Sequence, residues 1–412
     1  MPSHETSNVG SAWRVLAGLP FGVPNDRNSG KTSHVKTRRV PLLLIVVPRY
    51  VPLLGGMERQ AQLLADAFVD RGWGVTVVTE CLDSSPRHEV IDGVKVVRVG
   101  WRRDRPDPIG GPRSVGEVIW SSLSLITAVL RHGRNADLVI VRTFTVPSLV
   151  VGFLKRLRLV KGASLVTAET GGDEDDPGRL ASHRLACILR YLVKGNDLFN
   201  ALCTSNLSSF ELLGIPADSI TRIPNGIRVG EWMRAAPDGP NRRFVYFGRL
   251  EEAKGLLELV RAFHQALLEV PDLHLAVIGD GPLRDRLRLL SAELGLDEVI
   301  AFTPAVGQVE LRQVLAEHDV FVLPSYSEAM PLSVIEAAAA NRRLILTDVG
   351  DLRETFGEAA IIVPPRDVDA LAEAIVLTAR GEYPNFEAAS LAVRFDVTSV
   401  ASAYADLVRN ER

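Results

Sequence analysis

Two glutamates separated by seven residues are the most informative feature of the chain. They lie in Val322-Leu-Pro-Ser-Tyr-Ser-Glu-Ala-Met-Pro-Leu-Ser-Val-Ile-Glu336. Pro331 suits the first position of a helix, and the Ala-rich run to Ala340 continues it. Glu328 then sits in the loop before that helix, and Glu336 lies more than a turn inside it. The free amides of the helix start, over residues 329–333, make an anion site. Carboxylates beside an anion site suit a neutral sugar attached to a phosphate, because they accept bonds from its hydroxyls. Taken singly, Glu328 reads as a loop acid and Glu336 as a solvated helix residue; the spacing and the helix start together favour the sugar reading.

A second cluster is Phe247-Gly-Arg-Leu-Glu-Glu-Ala-Lys254-Gly. Gly248 lets the backbone turn after a strand. Arg249 and Lys254 follow at the strand's carboxyl end, where two cations can neutralise a diphosphate. A third is Leu53-Leu-Gly-Gly-Met-Glu58, whose adjacent glycines, Gly55 and Gly56, permit close approach to a ligand. Ile278-Gly-Asp-Gly-Pro282 reads as a tight strand-to-helix turn, since the third glycine of a dinucleotide fingerprint is missing.

These loops need strands to carry them. Val40 to Val47 is a short apolar run suited to a strand buried on both faces. Met57 to Arg71 has helical spacing and ends at Gly72 and Gly74. Gly74 to Thr79 is the next strand, which gives a βαβ unit. Further strands are expected at Val94–Val99, Asp137–Val141, Ser164–Thr167 and Ala201–Thr204. A second series begins near Arg243, with strands at 244–247, 273–278, 299–302, 320–323, 344–347 and 360–363. The fold class is therefore α/β, with two Rossmann-like, doubly wound parallel-sheet domains facing across a cleft. The first spans 40–226 and the second 243–394, joined by a linker rich in Pro, Gly and Asp. Residues 1–39 read as a flexible tail, either without a role or as an arm touching a membrane.

The 412 residues are 46% hydrophobic and 24% charged, which excludes a disordered or collagen-like chain. Three cysteines (Cys81, Cys187 and Cys203) exclude a disulfide scaffold and point to a reducing, cytoplasmic compartment. They have no motif spacing and read as buried apolar residues. Residues 1–225 hold 28 Lys and Arg against 21 Asp and Glu, so the first part is basic and the remainder acidic. Nothing is basic enough to make nucleic acid the partner. No apolar run approaches a membrane span.

With these residues in view, the chain resembles the retaining glycosyltransferases of family 4 (glycosyl transferases group 1), which have the GT-B fold. The resemblance runs from about Val40 to the end. It is carried, in the family's order, by Gly-Gly-Met-Glu58, Ile223-Pro-Asn-Gly226, Gly248-Arg-Leu…Lys254-Gly, Gly279-Asp-Gly-Pro282, Asp319-Val-Phe-Val-Leu-Pro-Ser325 and the E-x7-E pair. It implies a hexosyl transfer from a nucleoside-diphosphate sugar to an acceptor hydroxyl, with no cofactor and no metal. The second domain would bind the donor and the first the acceptor. Glu328, Arg249 and Lys254 are the catalytic candidates. Gly55, Gly56, Asn225, Gly248, Ala329, Met330, Pro331, Leu332 and Glu336 form the donor site, with Glu336 on the ribose hydroxyls. The last helix, within 395–412, would cross back onto the first domain.

The departures from the pattern fall on the acceptor side. Many members carry a His-Gly pair after the fourth or fifth strand, near the reaction centre. Here Glu169, Thr170 and Gly171 stand in its place, so either the acceptor side differs or the histidine role is dispensed with. Asn341-Arg-Arg343 replaces the family's turn of a small residue followed by Gly-x-Pro, with Arg342 and Arg343 read as surface charge, and Asp351 stands where glycine is common. Asp173 to Asp176 reads as a solvated loop in preference to a metal site. Acceptors implied by the resemblance are lipid-linked glycans or polysaccharides. Phe153-Leu-Lys-Arg-Leu-Arg-Leu-Val-Lys161 is either a peripheral contact with an anionic membrane or a packed helix with a wet cationic face. Trp101 to Arg105 is a second basic stretch. Two rivals keep the donor site, a nucleotide-sugar 2-epimerase and a non-catalytic sugar-nucleotide-binding protein.

Overall fold

Uninterrupted runs of branched apolar residues form the strands, and glycine or proline loops separate them from the helices. A computed structural model gives the fold; it describes residues 39–410 apart from 54, 83–84, 101–114, 170–176, 238–239 and 384–386. The tail over 1–38, Trp101 to Arg105, Thr170, Gly171 and Asp173 to Asp176 lie outside the described residues.

The first half consists of β1 (Leu42–Val46), α1 (Gly56–Asp70), β2 (Gly74–Glu80), β3 (His88–Ile91), β4 (Val94–Val99), α2 (Val115–Gly133), β5 (Leu138–Val141), α3 (Val146–Arg156), β6 (Ala163–Ala168), α4 (Pro177–Ser182), α5 (Ala186–Val193), β7 (Leu198–Ala201), α6 (Thr204–Leu213) and β8 (Ile220–Thr221). The second consists of α7 (Val229–Trp232), β9 (Arg243–Phe247), α8 (Leu256–Glu269), β10 (His274–Ile278), α9 (Arg284–Glu293), β11 (Ile300–Thr303), α10 (Gln308–Glu317), β12 (Val320–Leu323), α11 (Leu332–Ala339), β13 (Arg343–Thr347), α12 (Leu352–Phe356), β14 (Ala360–Val363), α13 (Val368–Ala379), α14 (Ala388–Ala392) and α15 (Val397–Asn410).

The first sheet runs β3-β4-β2-β1-β5-β6-β7-β8, and the second β11-β10-β9-β12-β13-β14. Strands β1, β5, β6 and β12 are buried along almost their whole length, as parallel strands covered on both faces must be. Pairing is parallel except at β3, which returns antiparallel on β4. That edge hairpin is invisible to a reading based on buried runs, because β3 alternates exposed and half-buried residues.

The expected strand at Ala201–Thr204 is corrected. β7 ends at Ala201, and Thr204 opens α6. The Asn206 side chain accepts from the amides of Leu202 and Cys203 at 3.1 and 3.2 Å, which turns the chain into the helix.

Helix α15 lies against α1, and Arg71 of the loop after α1 donates to the Thr398 carbonyl at 2.7 Å. The crossing segment is pinned where Ile227 donates to Phe395 O and Val397 donates to Ile227 O, at 2.9 and 2.8 Å. One apolar core runs through both sheets and this junction, with Trp232 fully buried in it.

Candidate functional site

In an open parallel sheet, the crevice for a ligand lies at the carboxyl ends of the strands where the order reverses. In the second sheet that point is between β9 and β12, and in the first between β1 and β5. The loops after β9 and β12 are those of Gly248 to Lys254 and Ser325 to Glu328. Those after β1 and β5 contain Gly55 to Glu58 and Arg142.

On the second-domain side, Lys254 Nζ donates to Glu328 Oε1 at 2.6 Å, and Ser325 Oγ donates to the same oxygen at 2.7 Å. Glu328 is nearly buried while Lys254 keeps a fifth of its side chain in solvent. Gly350, at φ +55°, lies against the backbone of Glu328, and a Cβ there would collide with the Glu328 carbonyl. Only glycine serves at that position. Arg249 does not join the cluster. Its side chain is 58% exposed and pairs with Glu251 at 2.9 Å.

Glu336 is buried inside α11, and burial lifts its pKa to about 8, with Arg59 and then Arg312 opposing. Arg59 belongs to α1 of the other domain and stands 4.0 Å from it, Nε to Oε1. Neither atom has a hydrogen-bond partner. Burial lowers the pKa of Arg59, and Glu336 is the first group to oppose this.

Facing these residues, Gly55 precedes α1 and a Cβ on it would displace the carboxylate of Glu58. Beside Gly56, by contrast, the space where a Cβ would go is open. Arg49 stands 3.8 Å from Glu58. Glu169, at the end of β6, is buried and ion-paired with the wholly buried Arg142 at the end of β5. Burial raises the pKa of Glu169 and Arg142 opposes it. Burial also works against the charge of Arg142, but Glu169 and Tyr404 of α15 outweigh it and the pKa of Arg142 rises.

Arg142 Nη2 donates to Asn225 Oδ1 at 3.1 Å, and Asn225 Nδ2 donates to the Met330 carbonyl at 3.0 Å. Ala329, Met330 and Leu332 are buried, and Pro331 precedes the first residue of α11.

A second set of contacts ties the domains together. Asp351 accepts from the Thr204 amide at 3.0 and 3.1 Å and is ion-paired with Arg222. It satisfies a first-turn amide of α6, which has no partner inside its own helix. Within the first domain, Gly226 N donates to Gln60 Oε1 at 3.0 Å.

Two sequence expectations are overturned here. Arg342 is not surface charge. It is 4% exposed, and its guanidinium donates to the carbonyls of Ala340, His318 and Ala235. Cys187 is exposed, unlike Cys81 and Cys203. Sequence reasoning also missed Arg59, Arg142 and Tyr404. The available signal for Arg142 was its place directly after four apolar residues of a buried strand, at the end where ligands bind.

Residues 241–380 match the family model described as glycosyl transferases group 1, and residues 55–226 match the one described as glycosyl transferase 4-like domain. A glycogen synthase of Mycobacterium tuberculosis is 26% identical over 352 residues, which is 81% of this chain and 84% of that one. The GDP-mannose:cellobiosyl-diphosphopolyprenol alpha-mannosyltransferase of Xanthomonas campestris is 25% identical over 380 residues, covering 88% of this chain and 94% of that one. Among solved structures, a sucrose-phosphate synthase from Thermosynechococcus elongatus superposes with a TM-score of 0.71 at 18% identity, over 90% of this chain and 99% of that one. The Anabaena protein HepE in complex with UDP gives 0.67 at 18% identity, over 90% and 100%. These structures share the two-domain GT-B fold, and the epimerase alternative finds no support among the comparisons. With one model on each half and the switch-point loops inside both, the chain belongs to the glycosyl transferases group 1 family and is a glycosyltransferase.

Proposed function

We propose that this glycosyltransferase moves a hexosyl group from a nucleoside-diphosphate sugar to a hydroxyl of a lipid-linked glycan or polysaccharide, with retention of configuration and without a metal ion. The observation that carries the reading is the Lys254–Glu328–Ser325 cluster at the switch point of the second sheet. The bond from the anomeric carbon to the diphosphate breaks, and the acceptor oxygen bonds to the same face of the sugar. The acceptor's proton passes to the departing phosphate oxygen. Lys254 turns from Glu328 to that phosphate, and Arg249, free to swing at its exposed position, joins it. The first-turn amides of α11 add their dipoles. Preorganised charge of this kind does the work a metal does elsewhere. Glu328 then accepts from a sugar hydroxyl, and ribose hydroxyls supply Glu336 with the partners it lacks. Gly56 leaves room for the phosphates, whereas the space beside Gly55 is taken by the Glu58 carboxylate. The UDP bound in the Anabaena neighbour and the GDP-mannose and diphosphopolyprenol in the name of the Xanthomonas relative support a nucleotide-sugar donor and a lipid-linked acceptor.

The first domain offers a surface for such an acceptor. Helix α3 packs between α2 and α5. Together they expose Ile119, Trp120 and Leu123 from α2, Phe153 from α3 with Leu157 just beyond it, and Ile188 and Tyr191 from α5. Arg156 lies 3.9 Å over the Tyr191 ring. The helix ends at Arg156, so the basic stretch to Lys161 is half helix and half loop. Apolar side chains among cations fit an anionic membrane surface. No helix among the described residues is long and apolar enough to cross a membrane.

Thermal-shift binding across UDP-, GDP- and ADP-sugars, with magnesium and with a chelator, is the test, followed by assignment of the product's anomeric configuration. Stabilisation by one donor in the chelator and an axial-to-axial product support the proposal. A strict metal requirement or an inverted product overturns the corresponding part. Sedimentation with phosphatidylglycerol vesicles tests the membrane face; binding should fall as salt rises.

A further inference from the structure

We propose that Arg142 is a positioning residue that holds the acceptor-side carboxylate Glu169 and the donor loop at Met330 in one rigid frame. The inference rests on the transferase reading above. Its basis is a chain of buried polar contacts that crosses from one domain to the other. Glu169 pairs with Arg142 at the carboxyl ends of neighbouring strands, where neither side chain has appreciable contact with solvent. Arg142 reaches Asn225 at 3.1 Å, and Asn225 reaches the Met330 carbonyl at 3.0 Å, two residues beyond Glu328.

Each link fixes the orientation of the next. A guanidinium is planar and donates in set directions, so pairing one edge with Glu169 aims another nitrogen at Asn225. The Asn225 oxygen must face that donor, so its NH₂ faces Met330. Tyr404 closes the frame from the returning helix α15. Reactions between two bound groups depend steeply on such spacing, and displacements of about 1 Å cost about a hundredfold in rate. A merely structural ion pair would require no third and fourth partner reaching into the other domain.

The test uses the full chain and five variants. Arg142→Met alone strands a buried carboxylate and is expected to unfold readily. Arg142→Met with Glu169→Gln removes both charges and should recover most of the melting temperature. If Arg142 positions the site, the double variant still transfers sugar at least about tenfold more slowly, with the donor KM within about threefold of wild type. Asn225→Ala, which leaves the ion pair intact, should lose kcat in the same way. Adding Arg142→Met and Glu169→Gln to it should then cost little more, as expected of links in one chain. Arg142→Lys, which keeps charge but not the fork, should rescue stability more than turnover.

Amide hydrogen exchange over 328–334 supplies a readout independent of turnover. It should rise in Asn225→Ala and in the double variant while β5 and β6 stay protected. Unchanged exchange there overturns the coupling even if transfer is observed, and wild-type turnover in the double variant overturns it as well. A wild-type protein inactive with every donor would count against the transferase reading, and the exchange measurement would still decide the coupling.

Discussion

Each half of the molecule places a largely buried carboxylate paired with a cation at the carboxyl ends of its strands, but the two pairs are built differently. In the second domain, Lys254 meets Glu328 with a fifth of the lysine side chain in solvent. In the first domain, Arg142 meets Glu169 with the arginine wholly buried and a further partner, Asn225, engaged. Lysine is a point charge on a flexible stem and exchanges one anion for another at small cost, whereas a buried, forked arginine is expensive to disturb. The first pair is therefore one that a ligand's phosphate can replace. The second, wholly buried on its arginine side, is not open to such an exchange.

The comparison can be broken most decisively at Glu328. Glu328→Gln should keep the fold and the donor affinity while lowering kcat by about 10²–10³, the range for removing a preorganised electrostatic group. Retained turnover would mean that the donor-side pair is only a surface contact. Asp351→Ala should come next, because it leaves the Thr204 amide and Arg222 without their carboxylate across the domain boundary. Denaturant melts should show a loss of about 1–3 kcal/mol, and steady-state assays a rise in donor KM larger than the fall in kcat.

Gly56→Ala sharpens the contrast between space for protein and space for ligand. The added methyl enters open space in the unliganded molecule, so stability should change by less than about 0.5 kcal/mol. Calorimetry should nevertheless show a weaker donor, and unchanged affinity would move the phosphates away from α1.

The smallest effect concerns pH. Glu336 titrates near 8 in the fold, above its ordinary carboxylate value, because it is buried. The folded state thus holds a proton that the unfolded state has lost. The corresponding stability is present at acid pH and declines as pH rises towards about 8. Melting temperatures of the wild type should fall across that window relative to those of Glu336→Gln. A saturating donor should flatten the difference.

The sequence made the donor side readable because its parts are local. A buried strand, a loop acid, a helix-starting proline and a second acid follow one another within Val322 to Glu336, and propensity and spacing suffice to place them. The contacts around Arg142 and Asp351 are assembled from distant segments. Arg142 and Asn225 are 83 residues apart, and Asp351 and Thr204 are 147. No periodicity carries that information. Glu169 was noticed only through the absence of an expected histidine, and its arginine was not foreseen. Arg342 was misread for a related reason. A charged residue is normally solvated, and only the fold reveals three carbonyls converging on this guanidinium. The β7–α6 boundary was missed because Asn206 reaches back along its own chain, a local bond that overrides the strand preference of the residues before it.

Helix α6 depends on Asp351 of the second domain through the Thr204 amide. Its first turn is completed by a residue of the opposite domain, so any movement that widens the cleft uncaps it. Uncapping a helix costs about 1 kcal/mol, so this contact favours the arrangement in which the two halves meet. The Thr204 amide accordingly reports on that contact, and its hydrogen exchange should quicken in Asp351→Ala.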